Sequence, residues 1–288
     1  MSTVVTWSHR ARHTAHDVVT CGSSPAVRGT GSAARVSRRG LVVVTAVIAY
    51  FGVRGLTDSS RTRALHDAGS IQSAERHLHL DWESSLQSLV VDHHAVTRVL
   101  NWIYIFGHWP VITVTLLWLL YRSPGLYARV AGAMLLSGAV GLVTFAAFPV
   151  APPRLAGLGL TDTVTQQSHA YRLLQPPAFT DQYAAMPSLH VGWNLLMTLA
   201  VLAATRKVWL RVLAVALTVA MDATVVLTAN HYVVDAVAGA ALAHLSWYAA
   251  GRLQERRRSR LEPSRLRAEA GYASKRGGGG APVAAGRP

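Results

Sequence analysis

The sequence predicts an all-α polytopic membrane protein, a bundle of six transmembrane helices. Three observations predict it. First, the chain of 288 residues is 51% hydrophobic and only 15% charged, where a soluble domain carries about 25% charged residues. Second, apolar runs of about the 20 residues that a membrane helix needs recur along the middle of the chain. Third, the charge is pushed to the ends. Residues 1–40 hold six Arg and one Asp, and residues 251–288 hold ten Lys or Arg and three Glu, so the two ends carry +12 of the net +14.

The elements follow in order. Residues 1–39 read as a basic, disordered cytoplasmic tail. Residues 40–56 are the shortest span, read as uncleaved because no small-x-small cleavage site follows. Segment 62–97 is too polar to span, but Leu78, Leu80, Trp82, Leu86 and Leu89 suggest an amphipathic helix lying on the outer interface. Spans are expected at 99–121, 128–148, 188–205, 208–228 and 231–250. Between the third and fourth lies a long Pro-containing outer loop, 149–187, of the length that is often functional. The membrane domain is thus 40–250. The Arg-rich stretch 251–288, closing on Gly277 to Gly280, reads as a second basic, disordered cytoplasmic tail.

Lys and Arg concentrate in cytoplasmic loops. Arg38 and Arg39, Arg122 and Arg129, Arg206, Lys207 and Arg211, and Arg252 to Arg258 all fall on one side if the spans alternate. Both termini are then cytoplasmic, in a multi-pass protein of the cell membrane. Basic tails flanking apolar spans point to anionic lipid and away from nucleic acid. Cys21 is the only cysteine, so no intramolecular disulfide and no Cys/His zinc pattern is available.

Three strings carry chemistry, and all land on the outer side. In Asn230-His231-Tyr232-Val233-Val234-Asp235, the i,i+4 spacing puts His231 and Asp235 on one helix face. A carboxylate there can fix the imidazole tautomer and make the other ring nitrogen a better nucleophile or base. The same pair also reads as a buried polar tie between helices. In Met186-Pro187-Ser188-Leu189-His190, Ser188 is a candidate N-cap whose helix start offers N–H groups to an anion, with His190 one turn in. In Pro149-Val150-Ala151-Pro152-Pro153-Arg154, two prolines stiffen the chain before a guanidinium suited to phosphate. Two imidazoles, a carboxylate and an arginine are a kit for attacking a phosphate ester. Asn101, Tyr104 and His108 fall within about 60° of one another on a helix. They read either as lining of a headgroup pocket or as ties between helices. Asp222 and His244 read as structural.

The order Pro-Pro-Arg, Pro-Ser-x-His, His-x-x-x-Asp resembles the membrane-bound type 2 phosphatidic acid phosphatase superfamily. Over residues 75–250 it is similar to the inositol phosphorylceramide synthase branch, to which Asn101, Tyr104 and His108 also correspond. The resemblance implies a six-helix bundle of that kind. It implies an enzyme, a lipid phosphatase or an inositolphosphotransferase-like headgroup transferase, working through a phosphohistidine. His231 would attack phosphorus, Asp235 would orient and charge-stabilise it, and His190 would protonate the leaving oxygen. Arg154, Ser188, Asn230, Tyr104 and His108 would bind substrate. No metal and no cofactor is called for; the partners are the bilayer and a phospholipid or polyprenyl-phosphate substrate. The chain departs from the phosphatase pattern: Ala147 stands at its lysine, Leu155 follows Arg154, and Thr224 and Val225 replace a Ser-Arg pair. Fewer cations suit a diester better than a monoester, unless His169 or Arg172 compensates. Two other readings are a metal-dependent hydrolase with His190, His231 and Asp235 as ligands, and a catalytically degenerate lipid binder.

Overall fold

The computed structural model describes residues 60–167 and 182–277, with side chains as far as residue 260. The expected tail 1–39, the span 40–56, His169 and Arg172 lie outside the described residues. Among the described residues the chain is helical, with an isolated bridge between Val150 and Ala184 and no sheet.

The helices are α1 Arg61–Leu78, α2 Glu83–Ser88, α3 His94–Phe106, α4 Trp109–Arg122, α5 Pro124–Ala147, α6 Thr163–Gln167, α7 Leu189–Ala204, α8 Val208–Leu227 and α9 Val233–Gly277; a 3-10 turn, Pro153–Leu155, sits between α5 and α6. The helix α9 packs on α5 and α7, α8 packs on α7 and α3, and α4 packs on α5 and α7. Three helices, Pro124–Ala147, Val208–Leu227 and the Val233–Arg260 part of α9, are long and apolar enough to cross a membrane; α3 and α4, bent by 41°, make a fourth if taken as one crossing. They turn Val114, Leu117, Val143, Val212, Val219, Val237 and Leu245 outward, as lipid-facing surfaces do. The run expected as span four is a shorter apolar helix of 16 residues.

Three expectations change. Span 99–121 is two helices, because Pro110 has no N–H to continue the ladder and sits in the first turn of a new helix. Gly107 at the break is pressed to the chain, since a Cβ there would lie 2.4 Å from the Ile103 carbonyl oxygen. Segment 62–97 is also not one interfacial helix. His79 takes a left-handed conformation (φ 55°) and closes α1, with the Leu80 N–H donating to the Glu75 carbonyl. Leu78, Trp82 and Leu89 are exposed, while Asp67, Glu75, Glu83 and Gln87 point inward. Finally, α9 continues to Gly277 through residues that composition assigns to a disordered tail. Arg, Glu, Gln, Leu and Ala there are good helix formers.

Candidate active site

The site begins where α8 ends. The Asn230 N–H donates to the Val225 carbonyl and the Ala229 N–H to the Val226 carbonyl, with Ala229 in the left-handed region (φ 53°). This is a Schellman closure. It turns the chain back so that Asn230 and His231 emerge beside the start of α9.

His231 is buried, and its Nδ1 lies 2.8 Å from the Ala185 carbonyl oxygen. A carbonyl can only accept, so Nδ1 carries the proton and Nε2 keeps its lone pair. The carbonyl is held in place by the Val150 bridge, where the Val150 N–H donates to Tyr183 and the Ala185 N–H donates back to Val150. Asp235 Oδ2 lies 3.5 Å from Nδ1, an ion pair when the ring is protonated. The same oxygen accepts the Tyr232 N–H at 3.1 Å, capping its own helix. The nearest partner fixing the tautomer is therefore a backbone oxygen, with Asp235 farther off.

Two glycines let the motifs meet. A Cβ on Gly239 would lie 2.1 Å from the Ser188 carbonyl oxygen, and one on Gly192 would lie 2.8 Å from the Gly239 carbonyl oxygen. The start of α7 therefore rides directly on α9, and the Ser188 N–H donates to the Asp235 backbone oxygen at 3.0 Å. Ser188 is the N-cap its sequence suggests, fully buried, with Oγ accepting from the Val191 N–H. This contact places the His190 ring 5.7 Å from the His231 ring, centroid to centroid.

His190 is packed between aromatic neighbours. Tyr104 stacks on it at 4.8 Å and His108 lies against it at 4.6 Å. The break between α3 and α4 is what lets both reach it. Asn194 Nδ2 donates to the His190 carbonyl and contacts His108 Nδ1, both at 2.9 Å. Only the amide nitrogen can donate to a carbonyl, so His108 Nδ1 accepts and its Nε2 holds the proton. Asn101 does something else: it bonds the Thr163 carbonyl and hydroxyl, tying α3 to α6.

Arg154 is held on three sides. Its backbone N–H donates to Ala229, its Nε to Asn230 Oδ1 at 2.9 Å and its Nη1 to Asp162 Oδ2 at 2.8 Å. The two charged side chains are only 8% and 12% exposed. Asn230 in turn directs its amide nitrogen to Thr228, so Asn230 orients Arg154. Asp162 also accepts the Thr165 N–H, and the Asp-x-x-Thr pattern ahead of α6 was the available signal for it. At the positions lacking cations, Val225 is fully buried in an apolar cluster with Tyr104, Val164 and Met221. Beside Ala147 a cation arrives from elsewhere, as Arg63 of α1 donates to the Ala147 carbonyl.

His231, Asp235, His190, Ser188, Tyr104, His108, Asn230 and Arg154 thus gather at one end of the bundle. Among the described residues, no group of three or more His, Cys, Asp or Glu is arranged to hold a metal ion. A family model described as the PAP2 superfamily matches residues 69–249, more than half of the chain. The chain belongs to the PAP2 superfamily. Members of this superfamily are phosphatases, and the match supports an enzyme of that general kind in a membrane. The matched stretch contains all the gathered residues. Comparison with curated proteins and with solved structures finds no match.

Proposed function

We propose that this PAP2 superfamily chain cleaves or transfers a lipid-linked phosphate through a phosphohistidine on His231, at the outer face of the cell membrane. The observation that carries the reading is the 2.8 Å contact of His231 Nδ1 with the Ala185 carbonyl, which leaves Nε2 as the nucleophile. His231 Nε2 attacks phosphorus, and the phosphorus–oxygen ester bond breaks. The leaving oxygen takes a proton from His190, on the neighbouring ring. Asp235 offsets the positive charge that develops on the phosphorylated imidazole. In the second step a hydroxyl, of water or of a lipid or polyol acceptor, gives its proton to His190 and attacks phosphorus, and the nitrogen–phosphorus bond breaks. Tyr104 and His108 orient His190, Arg154 binds phosphate oxygens, and Ser188 sets the helix start.

A diester substrate fits best. Arg154 is already paired with Asp162, and positions 147, 155, 224 and 225 carry no cation. A diester brings one negative charge where a monoester brings nearly two, so headgroup transfer of the inositolphosphotransferase type or diester cleavage is favoured. The spans, both cytoplasmic termini and the outward site follow from the positive-inside rule. Residues 40–56, the bent pair, the three long helices and α7 would make six crossings.

The test uses protein in lipid nanodiscs with phosphorus-labelled phosphatidylinositol, phosphatidic acid or undecaprenyl diphosphate. Acid-labile label should appear on the protein with one donor and be absent in His231→Ala, with turnover down by at least about 10³-fold. Turnover that survives His231→Ala would sink the phosphohistidine. Activity removed by a chelator would favour the metal hydrolase with His190, His231 and Asp235 as ligands, and lipid binding without turnover would favour the degenerate binder.

A further inference from the structure

We propose that Glu75 and Glu83 are positioning residues for the reaction, a pair of carboxyl groups that clamps the first turn of α9 and so holds Asp235 against His231. The proposal rests on the roles given above to His231 and Asp235.

A helix start leaves its first N–H groups without partners inside the helix, and negative groups are favoured there. In α9 three such groups are all met by carboxyls. The Tyr232 N–H goes to Asp235 Oδ2 at 3.1 Å, the Val233 N–H to Glu83 Oε1 at 3.0 Å and the Val234 N–H to Glu75 Oε1 at 2.9 Å. The two glutamates come from α1 and α2, about 150 residues earlier in the chain. They are 1% and 5% exposed. Side chains that leave water so completely are retained when every oxygen is used. The pair therefore ties α1 and α2 to the turn on which the His231–Asp235 geometry depends.

Glu83 also faces Glu75, and its charge favours a proton on Glu75. Burial is the largest cause pushing the Glu75 carboxyl up, to about 8; the Val234 N–H pulls it down, and Glu83 and then Asp235 push it up further. The groups facing the pair are Asp235 of α9 and Tyr232 just before it, with Gln72, Arg76 and Asp81 around a cavity of about 160 Å³ that both glutamates line. As pH rises through about 8 Glu75 takes on a negative charge, which Glu83 and Asp235 oppose, and the clamp loosens.

The experiment measures kcat and KM from about pH 6 to 10 in nanodiscs, with the three labelled lipids above, for the full chain and for Glu75→Ala and Glu75→Gln. Glu75→Ala should lower kcat by about 10- to 100-fold, as loss of an orienting partner does, with KM within about threefold. Glu75→Gln keeps an acceptor for the Val234 N–H and a donor for Glu83. It should restore most of that loss and lack the alkaline fall of the parent. A Glu75→Gln profile that falls like the parent's, or a Glu75→Ala variant with parental kcat, overturns the proposal. If Glu75→Ala does not fold, Glu75→Gln decides alone. Amide hydrogen exchange at 232–236 separates this proposal from the one beneath it. Exchange at least about tenfold faster in Glu75→Ala supports the clamp even if His231→Ala keeps its turnover, a result that would sink only the phosphohistidine. Unchanged exchange overturns the clamp whatever His231→Ala does.

Discussion

The two ends of the apolar part of α9, Val233–Arg260, lie near arginines held in opposite ways. Beside its start, Arg154 is almost buried and spends its guanidinium on Asn230 and Asp162. About 28 Å further along the helix axis, Arg252 is mostly exposed and pairs with Glu255 at 3.9 Å. Nearby, Arg129 lies 4.2 Å over the ring of Trp247, a cation–π contact that needs no counter-charge. Backbone approach differs in the same sense. At the site end Gly239 lets two helices touch through backbone atoms, whereas Gly132 near Ala250 leaves ordinary space. One end is built for fixed geometry and the other for solubility at a charged boundary. A buried charge must have defined partners or it does not stay buried, while an exposed pair is worth little. The buried arginine is therefore the one whose position the fold determines, and it is the one in the matched family region.

The glycines test this contrast most severely. Gly239→Ala should destabilise the protein by about 3 kcal/mol and uncouple His190 from His231, because the new Cβ would sit 2.1 Å from a backbone oxygen. Gly132→Ala should be neutral or slightly stabilising, since its Cβ would meet only the Ala250 Cβ at 3.6 Å. Equal losses of thermal midpoint in nanodiscs would erase the distinction between the ends. The arginines come next. Arg154→Ala should cost about 3 kcal/mol, leaving Asp162 without its partner, and Arg252→Ala less than about 0.5 kcal/mol. A double-mutant cycle of Arg154 with Asp162 sharpens the point, with a coupling well above that of Arg252 with Glu255 expected. One expected effect is a gain. Ala229 occupies a left-handed position that favours glycine, so Ala229→Gly should stabilise by about 1 kcal/mol. A loss there would mean that the turn before His231 is held by something other than its backbone conformation.

Much of the membrane domain was legible because its code is local. Apolar runs mark α5, α8 and the start of α9 to within a few residues, and Ser188 announces the start of α7. His231 and Asp235 share a face by spacing alone. The break between α3 and α4 was half legible, since Pro110 was visible inside an apolar run, but the run's hydropathy outweighed it. The inward face of α1 and α2 was misread. Leucines and Trp82 suggested an apolar face on a membrane surface, and the acids between them suggested solvent. Hydropathy assigns a carboxyl to water unless a partner is in view, and the partners of Glu75 and Glu83 are N–H groups in another part of the chain.

The sequence by itself determined the helical membrane class, the three motifs and the superfamily, because each is a pattern among residues a few positions apart. Only the tertiary structure decided that the Ala185 carbonyl fixes the His231 tautomer, that Asp162 neutralises Arg154, and that two glutamates hold the start of α9. Those contacts join segments from 8 to 159 residues apart. A hydrogen bond depends on where two groups end up to within a few tenths of an ångström, and the packing of helices at glycines 192 and 239 sets that, which no local periodicity records.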